Sequence, residues 1–114
     1  MTAQEDAKAH LANAEEFLEA ASMANDAGLC NAATSNAVIS GINSKSAICL
    51  QLTGRTGKTG NNAADVAELK TSGGVDQALV ATFDQLLRAT SASDAEDAIA
   101  WAGQLLEAAR GVVA

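Results

Sequence analysis

A glycine-rich basic segment, residues 52–62 with the sequence LTGRTGKTGNN, contains the side chains of this chain that are best suited to binding an anion. Its two cations are Arg55 and Lys58, and a planar guanidinium matches the geometry of a phosphate group especially well. Two asparagines follow, and the amide of Asn62 can donate a hydrogen bond to a phosphate oxygen. We therefore predict an anion site formed by these three side chains, with Asn61 lining it.

The Gly-Lys-Thr tripeptide at residues 57–59 is similar to the end of a Walker phosphate-binding loop, but the rest of that motif is missing. A Walker loop has a glycine five residues before the glycine of this tripeptide, and Leu52 occupies that position. The motif also follows a β-strand, whereas a helical pattern precedes this segment. Composition alone favours a plain connector between two helices, in which the glycines supply the positive φ angles that turns require.

Cleavage of RNA by its own 2′-hydroxyl group needs a base, an acid and a cation that stabilises the developing phosphorane. Arg55 can be the cation, but residues 52–62 contain no side chain that exchanges protons near neutral pH. The single histidine, His10, falls on the solvent side of the first predicted helix, where we assign it no role. Asp65 and Glu68 would need raised pKa values to act as acids.

The distribution of charge restricts what such a loop can bind. The chain of 114 residues has a formal net charge of −7, and an acidic protein is a poor general binder of nucleic acid. Residues 27–74, however, hold four cations and two acids, while the segments before and after them are strongly acidic. We therefore expect local contact with a phosphate group at a basic island around residues 45–70.

Length and composition predict one all-α domain covering residues 1–114. The chain has no proline, many alanines and only three aromatic residues, which favours helix over strand. No apolar run approaches the ~20 residues that span a bilayer, and no basic-then-apolar leader is visible. We therefore expect a cytoplasmic protein without membrane contact.

The cysteines indicate neither a disulfide nor a metal site. Cys30 and Cys49 fall on one predicted helix, about 28 Å apart along its axis, which is too far for a disulfide. Two scattered cysteines and one histidine do not form a metal site. We expect two buried free thiols, no metal and no cofactor.

Hydrophobic periodicity and turn residues divide the chain into five helical segments. Gly28 closes the first helix, and Asn61 or Asn62 can cap the third. Ser93 and Glu96 have the spacing of a capping box at the start of the fifth. These elements predict an antiparallel four- or five-helix up-and-down bundle. The predicted helices cover residues 3–25, 30–53, 63–71, 75–90 and 93–110.

The second predicted helix has a face of small polar side chains, Ser40, Asn43 and Ser44. Such residues are mediocre helix formers, so packing must hold this helix in place. The face suits either an interface with a second chain or the interior of the monomer, and the sequence leaves both arrangements open.

The segment AVISGINSKSAICLQLTGRTGKTGNNAADVAELK, residues 37–70, resembles the HEPN (higher eukaryotes and prokaryotes nucleotide-binding) domain family, and its actinobacterial members most of all. A long second helix rich in small residues leads to an arginine that shortly precedes a short third helix. The close match covers about a third of the chain, and the rest agrees by its pattern of helices. The resemblance implies a HEPN-like helical bundle.

The family carries a metal-independent RNA-cleaving site with an Arg-x4–6-His motif that is completed across a homodimer. Mapped onto this chain, the arginine is Arg55 and the histidine position is Asn62, with six residues between them. Ser46 occupies the place on the second helix where members often have an acid. An amide cannot exchange a proton as an imidazole does, so the resemblance implies a degenerate site that keeps an anion-binding arginine.

Three functions are consistent with these observations. The first is a homodimeric module that binds RNA, a nucleotide or a protein, and the resemblance allows a nucleotidyltransferase-type antitoxin as its partner. The second is an active metal-independent endoribonuclease of toxin type, with Arg55 and Asn62 as its catalytic residues. The third is a purely structural helical dimer without a ligand.

Overall fold

The computed structural model describes residues 2–57 and 61–113, and within them it contains five α-helices and no β-strand. The predicted all-α bundle is therefore confirmed. None of the described helices combines the length and the apolar composition needed to cross a membrane. A turn of 3-10 helix at Ala92–Asp94 precedes the last α-helix. The α-helices are α1 (Ala3–Asp26), α2 (Cys30–Thr53), α3 (Asn62–Thr71), α4 (Gln77–Leu87) and α5 (Ala95–Val112).

The two longest helices, α1 and α2, pack along each other as an antiparallel hairpin. His10 Nδ1 lies 2.9 Å from Asn43 Oδ1. One turn further along α1, the hydroxyl group of Ser40 donates a 2.7 Å hydrogen bond to the carbonyl oxygen of Ala14. Residue numbers therefore rise on one helix as they fall on the other. This contact leaves His10 half-buried, so its predicted position on the solvent side of α1 is wrong.

Small residues on α2 allow several helices to approach it closely. Ser40 and Ser44 are fully buried, so their face of the helix packs inside the monomer and is not an interface. Gly41 lies on the neighbouring part of the same surface, and a β-carbon there would overlap the side chain of Leu86 on α4. The polar small residues that the sequence left unassigned are thus explained by packing within one chain.

The hydrophobic core lies between α1, α2, α4 and α5, and α3 contributes Leu69 to it. Its α1 side is made of alanines at seven-residue intervals, Ala7, Ala14 and Ala21, because this spacing places them on one helix face. The largest fully buried apolar side chain is Phe83 on α4. The core therefore combines close helix contacts on one side with larger side chains on the other.

α2 spans Cys30–Thr53 as predicted, whereas the fourth helix, predicted at residues 75–90, is shorter at both ends. α4 starts after Asp76 because this carboxylate accepts the backbone N–H of Leu79 at 2.8 Å, which is a cap at the helix start. The helix ends at Leu87.

The fifth helix begins later than predicted because an acid just before it closes a separate turn. The Asp94 carboxylate accepts hydrogen bonds from the backbone N–H groups of Thr90 and Ser91. The Ser91 hydroxyl and these N–H groups hold the pKa of Asp94 below its ordinary value. The predicted capping box of Ser93 and Glu96 is wrong, since α5 has no side-chain hydrogen bond at its N-cap.

Candidate functional site

A buried ion cluster lies where α2, the segment after it and α3 meet. The side chain of Lys45 on α2 is 1% exposed, and its ammonium nitrogen is 2.6 Å from Glu68 Oε1 and 3.3 Å from Asp65 Oδ1. The ammonium group also donates a 3.1 Å hydrogen bond to Thr56 Oγ1. Glu68 is in turn bonded to Gly57. We call these residues the Lys45 cluster: Lys45, Thr56, Gly57, Asp65 and Glu68.

α3 supplies both acids of the Lys45 cluster. Asp65 and Glu68 are three residues apart, a spacing that places them on the same side of a helix. α3 begins in the required register because the side chain of Asn61 accepts the backbone N–H of Ala64 at 3.2 Å. A buried ammonium group without opposite charge is strongly unfavourable, so the two acids hold α3 against Lys45.

Glu68 also binds the segment that connects α2 to α3. Its two carboxylate oxygens accept the backbone N–H of Gly57 at 2.8 and 3.0 Å, and one of them accepts the hydroxyl group of Thr56 at 2.8 Å. Ser46, which is buried on α2, has its hydroxyl oxygen 3.4 Å from that of Thr56. These contacts attach residues 56–57 to both helices.

The surroundings of Glu68 keep its carboxylate ionised. Burial by itself would raise the pKa, but hydrogen bonds from Lys45, the Gly57 N–H and Thr56 outweigh burial and lower the pKa from 4.5 to about 2. A carboxyl group that acts as a catalytic acid would instead need a raised pKa. Glu68 therefore does not donate a proton near neutral pH, and its role is to hold charge and structure.

The thiol of Cys49 lies beside the Lys45 cluster and stays protonated. Burial raises its pKa to about 11, and nearby Lys45 offsets only part of this effect. Both cysteines are free, but only Cys49 is fully buried, since Cys30 is half-buried. Within the described ranges, no group of three or more His, Cys, Asp or Glu side chains is placed to hold a metal ion.

Arg55 is exposed and borders a shallow pocket of about 400 Å³, which we call the Arg55 pocket. Gly54 ends α2 with a positive φ of 79°, so the chain leaves the helix axis just before the arginine. Within residues 2–57 and 61–113, no ion pair involves the Arg55 guanidinium. The pocket is lined by Thr53, Arg55, Thr56, Gly57, Glu68 and Thr71.

Neither asparagine of the predicted anion site lines the Arg55 pocket. The side-chain amide of Asn62 donates a 3.3 Å hydrogen bond to the carbonyl oxygen of Leu87, which connects the start of α3 to the end of α4. The side chain of Asn61 is the N-cap of α3. Lys58, the second cation of the predicted anion site, lies outside the described residues. The amide of Asn62 therefore contacts α4 and does not line the pocket that Arg55 borders.

Sequence reasoning places Lys45 in a basic island and does not predict its burial. Two signals in the sequence point to the pairing. Lys45 is the one charged residue among the 24 residues of α2, and a lysine is almost never fully buried unless it is paired. Asp65 and Glu68, the nearest acids after it in the chain, share one side of α3.

Comparison with known proteins assigns the chain to no family. No family model matches it, and no match is found among curated proteins or among solved structures. The arrangement of the chain's own residues is therefore the basis on which a function is proposed.

Replacing Lys45 with Met should lower the free energy of unfolding by about 3–5 kcal/mol, because two partly buried carboxylates then lose their cation. Urea unfolding followed by circular dichroism measures the change. Lys70→Met, on the exposed side of α3, is the matched control and should change stability by less than about 0.5 kcal/mol. Equal losses of unfolding free energy for the two substitutions would show that the Lys45 cluster does not stabilise the fold more than an exposed lysine does.

The lowered pKa of Glu68 makes part of the stability depend on pH. The carboxylate contributes fully above its ordinary pKa of 4.5, and the contribution is lost as pH falls towards the folded value of about 2. The stability difference between wild type and Glu68→Gln should therefore shrink by about 3 kcal/mol between pH ~6 and pH ~2.

Unfolding titrations of both proteins at a series of pH values measure this difference. Glu107→Gln, on an exposed part of α5, is the control, and its difference from wild type should stay within about 0.5 kcal/mol. If the difference in unfolding free energy between wild type and Glu68→Gln does not change with pH, the prediction is wrong.

Proposed function

We propose that the chain is a HEPN-like, non-catalytic binding module that uses Arg55 to contact a phosphate group of RNA or of a nucleotide. The observation that carries the proposal is the contrast between two cations of the basic island. Lys45 is buried and paired with two carboxylates, whereas Arg55 is exposed and has no ion pair within the described residues. A guanidinium presented in this way is available to an anion from outside the chain.

The Lys45 cluster supports the proposal because it fixes the backbone next to Arg55. On one side, Gly54 is attached to α2 by a 3.0 Å hydrogen bond from its N–H to the carbonyl oxygen of Leu50. On the other side, Thr56 and Gly57 are bound by Glu68. A binding group on a backbone that is already ordered loses less conformational entropy when it meets its ligand.

The alternative of an active endoribonuclease has less support from the described residues. Glu68 stays ionised near neutral pH, and the amide of Asn62 bonds to α4 and does not line the Arg55 pocket. His10 bonds to Asn43, which lies ten residues before the end of α2, or about 15 Å along its axis. The cation of an RNA-cleaving site is present, but among the described residues the one carboxyl group that lines the Arg55 pocket, that of Glu68, has a pKa too low to exchange protons near neutral pH.

We also propose that the module is a homodimer that associates through α2. The outer residues of this helix carry no charge, which is unusual in a chain with a net charge of −7. Two like-charged chains repel each other least where both surfaces are uncharged. Ile39 is 39% exposed on this surface and supplies apolar area. The exposed residues on this surface are Asn31, Ala32, Ser35 and Ile39, with Asn36 half-buried beside them.

Arg55→Ala should weaken binding of a labelled single-stranded RNA roughly tenfold, since one charge-assisted phosphate contact is lost. The slope of log affinity against log salt concentration should fall by about one. Fluorescence anisotropy measures both quantities. Arg88→Ala is the matched control, because Arg88 is an exposed arginine at the C-terminal end of α4 that pairs with Asp84.

Two results contradict parts of this proposal. RNA binding that is equal in wild type and in Arg55→Ala rules out a binding role for Arg55. RNA cleavage by the wild type that disappears in Arg55→Ala rules out a non-catalytic module and favours the toxin-type endoribonuclease.

Light scattering during gel filtration should give twice the mass of one chain for the wild type. Ile39→Asp should give the mass of one chain, because it places a charge in the centre of the uncharged surface of α2. Ala81→Asp, an exposed position on α4, is the control and should remain dimeric. A single-chain mass for the wild type contradicts the homodimer. If the wild type is a dimer and Arg55→Ala does not change its affinity for RNA, the result supports the purely structural alternative.

A further inference from the structure

The Glu68 carboxylate occupies a pocket of hydrogen-bond donors of the kind that proteins build for bound anions. It is contacted by the Lys45 ammonium group at 2.6 Å, the Thr56 hydroxyl group at 2.8 Å and the Gly57 N–H at 2.8 and 3.0 Å. An ammonium group, a hydroxyl group and a backbone N–H that converge on two oxygens are a general arrangement for holding carboxylate and phosphate groups.

All of these donors come from outside the helix that carries Glu68. Lys45 belongs to α2, and Thr56 and Gly57 belong to the connecting segment. The donor set is therefore complete without Glu68, which is the occupant of the pocket and not part of its wall. Because Lys45 is 1% exposed, water screens its charge only weakly.

We propose that Lys45, Thr56 and Gly57 form an oxyanion-binding site that Glu68 fills as an internal ligand, and that an external phosphate monoester or carboxylate binds there by displacing Glu68. The site uses donors other than Arg55. It therefore goes beyond the proposed function and stands even if Arg55 has no role.

The geometry provides a route for the exchange. The Glu68 side chain is 30% exposed and lines the Arg55 pocket, so it can rotate outward about its own bonds while α3 stays in place. An anion in the Arg55 pocket then meets Thr56 and Gly57, which line it, and takes the place of the Glu68 carboxylate beside the Lys45 ammonium group. Asp65, 3.3 Å from the Lys45 ammonium nitrogen, keeps a counter-charge beside Lys45 during the exchange. The protein's contacts to Glu68 are replaced by contacts to the ligand, so no buried donor is left unpaired.

Glu68 could instead have a purely structural role, in which it only holds Thr56 and Gly57 in place. The two roles predict opposite changes in anion affinity when the charge of Glu68 is removed. If Glu68 competes with an external anion, removing its charge raises the affinity for that anion. If the role of Glu68 is only structural, removing its charge leaves the Thr56 and Gly57 donors less ordered. The affinity for the external anion then falls or stays unchanged. The sign of the change therefore distinguishes the two roles.

The test is titration of wild type and Glu68→Gln with inorganic phosphate, followed through the backbone amide signal of Gly57 by nuclear magnetic resonance. Sodium chloride at matched ionic strength is the control for non-specific screening. Glu68→Gln should bind phosphate at least about tenfold more tightly than wild type, because the competing carboxylate is gone. Adding Thr56→Val to Glu68→Gln should reverse much of this gain, since one donor is removed.

Acetate in place of phosphate identifies the class of ligand. A response of Gly57 to phosphate alone assigns the site to phosphate monoesters, and an equal response to acetate assigns it to carboxylates; either response supports the site. Affinity in Glu68→Gln that equals or falls below that of wild type overturns the proposal. If Glu68→Gln does not fold, the wild type decides: a Gly57 shift with phosphate and not with chloride supports the site, and no shift overturns it.

Arg55→Ala separates this proposal from the RNA-binding function. If Arg55→Ala keeps full RNA affinity while Glu68→Gln gains phosphate affinity, the binding function fails and the oxyanion site stands. If Arg55→Ala loses RNA affinity while Glu68→Gln gains nothing, the oxyanion site fails and the binding function stands.

Discussion

The buried ammonium group of Lys45 is the constraint on which the rest of the site depends. Removing such a group from water costs roughly several kcal/mol unless opposite charges and hydrogen bonds replace its hydration. Asp65 and Glu68 supply those charges, and they reach Lys45 only when α3 lies against α2 in one orientation. Because Glu68 also bonds Thr56 and Gly57, the same requirement positions these two residues after α2. An interaction in the interior thus fixes the backbone next to Arg55, in a segment whose own glycine-rich sequence specifies little.

The same interaction divides the cations of the basic island into two kinds. Lys45 is used inside the protein, where its charge stabilises the fold, and Arg55 remains outside beside a pocket. A carboxylate at Glu68 with a pKa of about 2 and a thiol at Cys49 with a pKa of about 11 do not exchange protons near neutral pH. The described surroundings of Lys45 are therefore suited to holding negative charge rather than to transferring protons, and this is the basis for proposing a binding module.

Packing of small residues connects this site to the proposed dimer. Ser40, Gly41 and Ser44 let other helices come close on one side of α2, and in the first half of the helix the buried residues lie on that side. The opposite side, around Ile39, remains open and uncharged from the start of the helix to its middle. The helix that carries Lys45 inward thus also carries the surface that we propose for the homodimer.

Local signals in the sequence were sufficient for the class of fold and for α2, because periodicity and a closing glycine act within a few residues of each other. They were insufficient for the start of α5, where Asp94 caps a turn that competes with the capping box of Ser93 and Glu96. The sequence by itself determined that the chain is helical and that Arg55 follows a long helix. Only the tertiary structure decided that Lys45 is buried and that Asp65 and Glu68 are paired with it. The reason is that a pairing between residues 20 positions apart, such as Lys45 and Asp65, depends on how two helices pack.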